Sequence, residues 1–420
     1  MNILHLNTWD IEGGASRGAY WMHQSLLKAG VNSMMLVGNK SSDDYRVTGS
    51  QYITFSHKLR RDIGEYIDEW PLKKYKNKKK EIFSPAWYGQ NILSQIQSMN
   101  PDIVNIHWIG KAFLNPETIS KIKKPIVWTF RDMWGFTGGC HYTEDCTRYE
   151  LNCGLCPHLQ SGQENDLSRK LWQRKQKYLT PLNMTIVAVS DWLADCARQS
   201  SLFKNHRIET IYNAINTLNF KPRNKQWARE LLNLPDDKKI ILFGAMRATS
   251  DRRKGFQYLV PAIQKFAASD LASNTELIVF GASEPRNPPK LGMKTTYLGK
   301  IKDDLTLALV YAAADVMIVP SLQDACPKTP IESLACGTPV VCFDSSGLKE
   351  IVDHQKNGYR AKCFSIDDLA EGITWVLQDE QRSISLSQCA REQVEQKFTM
   401  DVLARAYIKL YQEILQNSDS

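Results

Sequence analysis

Asp324 and Glu332, two acidic residues with seven residues between them, bracket a loop whose composition suits a phosphorylated ligand. A short apolar strand ends at Pro320, a polar loop follows, and a helix is predicted to open near Thr329. A loop at the carboxyl end of a parallel strand that runs into a helix N-terminus suits anions, because its backbone amides point at the ligand. The two carboxylates suit hydroxyl groups. A loop that suits both phosphate and hydroxyl groups predicts a nucleotide sugar as the ligand.

This stretch resembles the donor-site signature of the retaining glycosyltransferases called group 1 or family 4. In that family a Glu, seven residues, a second Glu and an Ala-Cys-Gly-x-Pro-Val-Val run follow one another. Asp324 stands at the first Glu, Glu332 at the second, and residues 335–341 match the run. The competing interpretation is an ordinary strand-loop-helix unit with two solvated acids. The resemblance implies that Glu332 binds the ribose and Asp324 the donor sugar, and it adds to the donor loop Ser321, Ala325, Cys326, Lys328 and Thr329.

Basic residues near the start of the second half match the family's Arg-to-Lys-Gly motif. The resemblance implies that Arg247 and Lys254 hold the donor diphosphate and neutralise its charge as it leaves, a task suited to a guanidinium and an ammonium. No cofactor is therefore expected for catalysis. The same comparison implies further donor contacts at glycine-rich turns: Gly13, Gly14 and Arg17 after the first strand, and Gly281 and Gly299 at two later strand ends.

The chain departs from the family at Arg131. Family members commonly have a Thr-x-His-Asp motif here, whereas this chain reads Thr129-Phe-Arg-Asp132. A guanidinium cannot act as a base at neutral pH, so the role of the motif histidine does not transfer. Arg131 could instead stabilise departing phosphate charge or hold the acceptor. Asp132 and His107, which ends the preceding strand, are the other candidates for acceptor contacts.

Four of the ten cysteines, Cys140, Cys146, Cys153 and Cys156, lie within 17 residues. The Cys-Gly-Leu-Cys pair at residues 153–156 has zinc-knuckle spacing, and four thiolates complete a tetrahedral structural zinc site. Two disulfides or free thiols remain alternatives. A subset of the family is similar in having an insertion after Asp-Met-Trp. In each case we expect the cluster to brace a loop rather than to do chemistry.

The pattern of short apolar strands alternating with helices predicts an α/β protein with parallel sheets. A chain of 420 residues exceeds what one core usually supports, so two domains are expected. The resemblance implies the GT-B arrangement, two Rossmann-like domains facing each other across a cleft. We place an acceptor-binding domain at residues 1–205, a nucleotide-sugar-binding domain at 206–395 and, at 396–420, a C-terminal helix that crosses back to the first domain.

Charge is concentrated in the first half of the chain. The net charge is +8, and residues 1–200 hold 25 Lys and Arg against 19 Asp and Glu. Six lysines fall within Lys73–Lys80, beside Tyr66, Trp70 and Tyr75. This segment suits an anionic membrane surface, although a solvated loop is an equal alternative. Nucleic-acid binding is not expected, because no known reading module accompanies the charge.

A strand is predicted directly at residues 2–7, which leaves no room for a signal peptide. The sequence therefore predicts a cytoplasmic protein, peripheral on the inner face of the membrane if the lysine segment binds lipid. We expect a glycosyltransferase that moves a sugar from a UDP- or GDP-sugar to a lipid-linked or growing saccharide in surface polysaccharide or glycolipid synthesis. The alternative is a catalytically weak GT-B protein, disabled at Arg131, that partners an active enzyme.

Overall fold

The structure, a computed structural model, describes residues 1–50, 63–245 and 249–418. The chain divides into two compact units, one formed by Met1–Tyr212 with Leu403–Ser420 and the other by Asn213–Val402. The predicted boundaries, after residues 205 and 395, fall near these divisions. Within the described ranges, no helix is both long enough and apolar enough to cross a membrane.

The first unit is built on a seven-stranded sheet in the order β3-β2-β1-β4-β5-β6-β7, and all its pairings are parallel. The strands are β1 (Asn2–Trp9), β2 (Asn32–Asn39), β3 (Val47–Gly49), β4 (Ile103–Ile106), β5 (Ile126–Phe130), β6 (Met184–Ala188) and β7 (Arg207–Thr210). The helices are Gly14–Lys28, Leu93–Met99, Pro116–Ile119, Leu167–Tyr178, Asp191–Gln199 and Met400–Ser418, with short 3₁₀ turns at Trp70–Lys74, Trp134–Phe136 and Arg148–Glu150.

The last helix packs onto this first sheet, as the sequence predicted. Tyr411 and Tyr407 are fully buried. The Asn105 side-chain amide donates to the Tyr411 hydroxyl at 2.6 Å, and the hydroxyls of Thr129 and Tyr407 lie 3.0 Å apart. The apolar stripe of the helix therefore closes the core of the first unit.

The second unit carries a six-stranded parallel sheet in the order β10-β9-β8-β11-β12-β13. The strands are β8 (Lys239–Gly244), β9 (Thr275–Phe280), β10 (Thr295–Gly299), β11 (Val316–Val319), β12 (Val340–Phe343) and β13 (Gly358–Ala361). The helices are Lys225–Leu231, Phe256–Phe266, Asp304–Ala313, Lys328–Ala335, Leu348–Ile351, Ile366–Leu377 and Glu380–Lys397, with 3₁₀ turns at Arg252–Lys254 and Asp270–Asn274. The predicted α/β class with two parallel sheets is confirmed.

One predicted helix is shorter than expected. The spacing of apolar residues predicts a helix over Tyr88–Met99, but the helix begins only at Leu93. The backbone N–H of Gln90 donates to the carbonyl of Phe113 at 2.8 Å, and a Cβ on Gly89 would lie 2.7 Å from the backbone nitrogen of Asn115. Contacts with a distant loop therefore replace the first helical turn.

Candidate active site

The candidate donor loop lies where the strand order of the second sheet reverses. β8 and β11 are neighbours in the sheet, but the strands that follow β8 and β11 along the chain lie on opposite sides of this pair. Open α/β sheets bind ligands outside the carboxyl ends of strands at such a switch point. The turn Arg252–Lys254 follows β8, and the loop from Pro320 follows β11.

Lys254 and Asp324, which are 70 residues apart, form an ion pair at this edge. The Lys254 ammonium lies 2.6 Å from Asp324 Oδ2, and both side chains are largely buried, at 19% and 11% exposure. The Leu322 N–H donates to the Arg253 carbonyl at 2.8 Å, which joins the two segments. Gly255 makes this approach feasible: its φ is +75°, and a Cβ there would lie 1.8 Å from the Pro320 oxygen.

Glu332 lies on the helix Lys328–Ala335 and is only 3% exposed. Its Oε2 accepts a hydrogen bond of 2.9 Å from the hydroxyl of Tyr311, which fixes the carboxylate. The loop before it is held by its backbone: the Asp324 N–H donates to Ser346 Oγ at 3.0 Å, and the Gly347 N–H donates to the Asp324 carbonyl at 3.0 Å. Both predicted carboxylates are thus buried and held in place.

The other predicted donor residues divide into three sets. Ser321, Ala325 and Cys326 are buried in the same loop, and Lys328 and Thr329 are half-buried at the start of the helix. Arg247 lies outside the described residues. Gly281 and Gly299 end β9 and β10 with positive φ; a Cβ on Gly281 would lie 2.3 Å from the Ala245 oxygen, whereas one on Gly299 meets nothing within 4 Å. The close Ala245 oxygen and the positive φ therefore require glycine at position 281, a reason the sequence did not reveal, and its predicted donor contact stays a prediction.

In the first unit, Gly13 and Gly14 begin the helix Gly14–Lys28. Gly13 has a φ of +88°, and a Cβ on either glycine meets no atom within 4 Å. The Arg17 guanidinium lies over the Trp21 ring, 5.0 Å from its centre. The space above both glycines is consistent with close approach of a ligand, and their predicted donor contact stays a prediction.

A buried hydrogen-bonded chain leads from Arg131 into the core of the first unit. Arg131 Nη2 lies 3.4 Å from His107 Nδ1, and His107 Nε2 lies 2.9 Å from His5 Nδ1. Ser33 Oγ then lies 3.1 Å from His5 Nε2 and 2.7 Å from His23 Nδ1. Because arginine only donates, His107 Nδ1 must accept. Each following donor is then fixed: His107 donates to His5, His5 to Ser33, and Ser33 to His23.

This chain consists of neutral imidazoles. Burial lowers the pKa of His5 and of His107 well below the usual value. Burial also lowers the pKa of His23 to about 4, although Asp44 opposes the shift. The sequence singled out His107 alone; the partnership of His5, Ser33 and His23 depends on the pairing of β1 with β2 and β4.

Acidification should therefore destabilise the protein between pH 7 and pH 5. Unfolded histidines take up protons below about pH 6.5, but the buried neutral forms do not, so stability present at higher pH is lost as the pH falls. Each of His5, His23 and His107 should cost about 2 kcal/mol at pH 5 relative to pH 7. Urea unfolding at both pH values measures this loss. H23Q should reduce it by about a third, whereas H354Q, at an exposed site, should not; a pH-independent free energy of unfolding would contradict the assignment.

Asp132 and Arg131 line one small recess at the ends of β4 and β5, together with His107, Trp108, Trp134 and His141. Asp132 Oδ2 lies 2.7 Å from His141 Nδ1 and accepts from the Trp108 indole at 3.0 Å. His141 Nε2 lies 2.8 Å from Ser84 Oγ. Burial raises the pKa of Asp132, but His141 and the hydrogen bonds outweigh it and hold the pKa below its usual value.

The three predicted acceptor residues therefore share one recess, and the structure adds His141. His141 was not among the predicted site residues, although its position beside Cys140 in the insertion was a signal. The insertion thus folds back to hold the carboxylate of Asp132.

The four clustered cysteines line a second cavity of the first unit. All four are free thiols, and the described residues contain no disulfide. Among those residues, no three His, Cys, Asp or Glu side chains converge closely enough to hold a metal ion as they stand. The disulfide alternative is therefore absent from the structure, and the zinc prediction remains open.

Two family models match the chain: Glycosyltransferase Family 4 over residues 12–218 and Glycosyl transferases group 1 over residues 224–393. The chain belongs to this glycosyltransferase family. The resemblance inferred from the donor loop is thereby confirmed.

Two curated relatives illustrate the match. The uncharacterized glycosyltransferase MJ1607 of Methanocaldococcus jannaschii is 30% identical over 217 residues, 49% of this chain and 54% of that protein. The putative colanic acid biosynthesis glycosyl transferase WcaC of Escherichia coli K12 is 24% identical over 85% of this chain and 86% of its own. The chain spans about half the length, or less, of the first curated relatives it matches.

Among solved structures, Anabaena HepE in complex with UDP matches with a TM-score of 0.66 and 14% identity, covering 98% of this chain and 100% of that chain. At this identity the likeness shows the fold alone. The chain thus has two Rossmann-like domains of the GT-B class, as predicted.

Proposed function

We propose that this chain is a retaining glycosyltransferase that moves a hexosyl group from a UDP- or GDP-sugar to a lipid-linked or growing saccharide in surface polysaccharide or glycolipid synthesis. The main support is the buried Lys254–Asp324 pair at the switch point, with Glu332 fixed nearby on the following helix. A relative on the same fold is named for binding UDP, and another is named for colanic acid biosynthesis.

In the second unit, we assign three contacts with the donor. Glu332 accepts hydrogen bonds from the ribose hydroxyls, and Asp324 accepts from hydroxyls of the donor sugar. Lys254, with Arg247, neutralises the diphosphate as its negative charge grows in the transition state. No catalytic metal is needed in this scheme, because the two cations take its electrostatic role.

In the first unit, we assign the acceptor to the recess of Arg131, Asp132 and His107. The acceptor hydroxyl oxygen bonds to C1 of the donor sugar while the bond from C1 to the phosphate oxygen breaks. The hydroxyl proton passes to the leaving phosphate oxygen, so no protein base is required and arginine at position 131 is tolerated. Arg131 is positioned by the neutral histidine chain, and Asp132 by His141 and Trp108.

The test measures nucleoside diphosphate release from a panel of UDP- and GDP-sugars, with and without a lipid-linked saccharide, and reads the product's anomeric configuration by NMR. We expect turnover of one donor class, retention of configuration, and turnover in EDTA during a short assay. R131A should be impaired and R131H partly active. Inversion or a strict need for added Mg²⁺ would contradict the mechanism. A folded wild type that releases no diphosphate would favour the binding-partner alternative.

We also propose that residues 63–80 dock on an anionic lipid surface, at the inner face of the cytoplasmic membrane. Four apolar or aromatic side chains before the lysine segment are exposed, between 43% and 61%: Ile63, Tyr66, Ile67 and Trp70. Five of the six lysines are exposed, and Lys79 instead pairs with Glu144. The exposed apolar side chains suit the bilayer interior, and the lysines beside them suit the anionic headgroups.

Vesicle binding tests this surface directly. The double variant K73S/K74S should bind phosphatidylglycerol-containing vesicles about 30-fold more weakly than wild type, because each basic residue near the surface contributes about 1 kcal/mol. The control K121S/K123S removes the same charge elsewhere and should bind like wild type. Two outcomes would contradict a specific docking segment: equally weakened vesicle binding by both double variants, or binding of the wild-type protein to purely zwitterionic vesicles.

A further inference from the structure

The loop after β5 gathers four thiols around one buried cavity. Cys140, Cys153 and Cys156 are buried, Cys146 is half-buried, and all four line the cavity. The cavity has a volume of about 20 Å³, which is room for about one water or one ion. A chamber of this size with four sulfur ligands suits a single soft metal ion rather than a larger cluster.

Backbone amides hold two of these sulfur atoms in place. The amides of His158 and Leu159 donate to the Cys156 sulfur, and the Gly138 amide donates to the Cys153 sulfur. Three successive residues of the Cys-Gly-Leu-Cys turn have φ between +46° and +88°. Such conformations persist only where the surroundings impose them. The turn therefore aims two cysteines inward at a cost that a bound ion would offset.

A buried lysine lies beside the cavity. Lys175 is 0% exposed, and its ammonium donates to the carbonyls of Trp134 and Thr137. Within the described part of the chain it has no carboxylate within ion-pair distance, and its charge interacts with Cys153, Cys140 and Asp132. A buried charge needs a nearby opposite charge. Asp132 supplies one such charge, and Zn²⁺ with four thiolates, which carries a net charge of −2, would supply a second.

We propose that Cys140, Cys146, Cys153 and Cys156 bind one Zn²⁺ as thiolates, and that Lys175 balances the charge of this centre. Binding releases the four thiol protons to solvent and involves no redox change. Because the sulfur atoms do not converge on an ion in the structure as it stands, loading draws them inward around the cavity. The centre fixes the loop that carries His141 to Asp132. Zinc binding at these cysteines does not depend on the identity of the donor or the acceptor.

The test starts from protein purified under reducing conditions without chelators. We expect one zinc per chain by elemental analysis, and a thiolate-to-cobalt charge-transfer band when Co²⁺ replaces zinc. C153S and C156S should lose most of the metal, whereas C363S, at an exposed cysteine outside the cluster, should keep it. K175M should retain zinc less tightly in a competition with a chromogenic chelator.

If the cysteine variants do not fold, wild type supplies a second readout. Strong chelation should lower its melting temperature, and added Zn²⁺ should restore it. Metal-free wild-type protein with ten titratable thiols, an iron chromophore, or disulfides within the cluster would each overturn the proposal. Loss of sugar transfer in a cysteine variant would not by itself support zinc binding. The zinc proposal and the proposed function can therefore be refuted independently of each other.

Discussion

Replacing Glu332 with alanine is expected to weaken nucleotide-sugar binding by about 10- to 150-fold, because hydrogen bonds to a charged group contribute about 1.5–3 kcal/mol. The carboxylate is 3% exposed and is held by the Tyr311 hydroxyl, so little reorganisation precedes binding. Titration calorimetry with the preferred donor measures the loss.

Two further variants separate direct contact from positioning. Y311F removes the hydroxyl that fixes Glu332 and should give a smaller loss of affinity than E332A. E371A changes an exposed acidic residue of the second unit, on the helix Ile366–Leu377, and should bind donor like wild type. A folded E332A protein with unchanged donor affinity would remove Glu332 from the ribose site.

Replacing Lys254 with methionine should slow transfer by about 10²- to 10³-fold, the range seen when one preorganised electrostatic group is lost. The loss should fall mainly on kcat, because the leaving diphosphate gains charge in the transition state. Steady-state kinetics with the preferred donor provide the measurement. Normal turnover of K254M would place the diphosphate clamp elsewhere.

The ion pair itself permits a sharper version of this experiment. K254M leaves the largely buried Asp324 carboxylate without its partner and should lower the melting temperature. The double variant K254M/D324N removes both charges and should recover much of that stability. Because Asp324 is itself assigned to the donor sugar, the double variant is read for stability alone: a recovered melting temperature shows that the stability loss of K254M came from the unpaired carboxylate.

The candidate donor loop was predicted from its place between an apolar strand and a helix and from its resemblance to the family's donor-site signature. Two carboxylates with seven residues between them lie at the carboxyl edge of a parallel sheet, after an apolar strand, and the Lys-Gly motif after β8 lies at the same edge. The sequence did not reveal that Lys254 and Asp324 pair with each other. That contact depends on Gly255 lying against the Pro320 carbonyl, a packing detail with no local signature.

The acceptor recess was less predictable, since it depends on the path of a long loop. His141 reaches Asp132 only because residues after β5 fold back, and no periodicity indicates such a return. Short edge strands were also missed: β7 is half exposed and polar in sequence, and β3 has only three residues. Strands at a sheet edge lack the continuous apolar pattern that marks buried parallel strands.

Saturation-transfer NMR with UDP-, GDP- and ADP-sugars tests the central claim most directly, because it reports binding at the donor loop without requiring the acceptor. We predict that sugars of one nucleotide class bind wild type, that E332A loses this signal while remaining folded, and that K121S/K123S keeps it. A folded wild-type protein that binds none of these donors, or an E332A protein that binds as wild type does, would contradict the assignment of this loop as a nucleotide-sugar site.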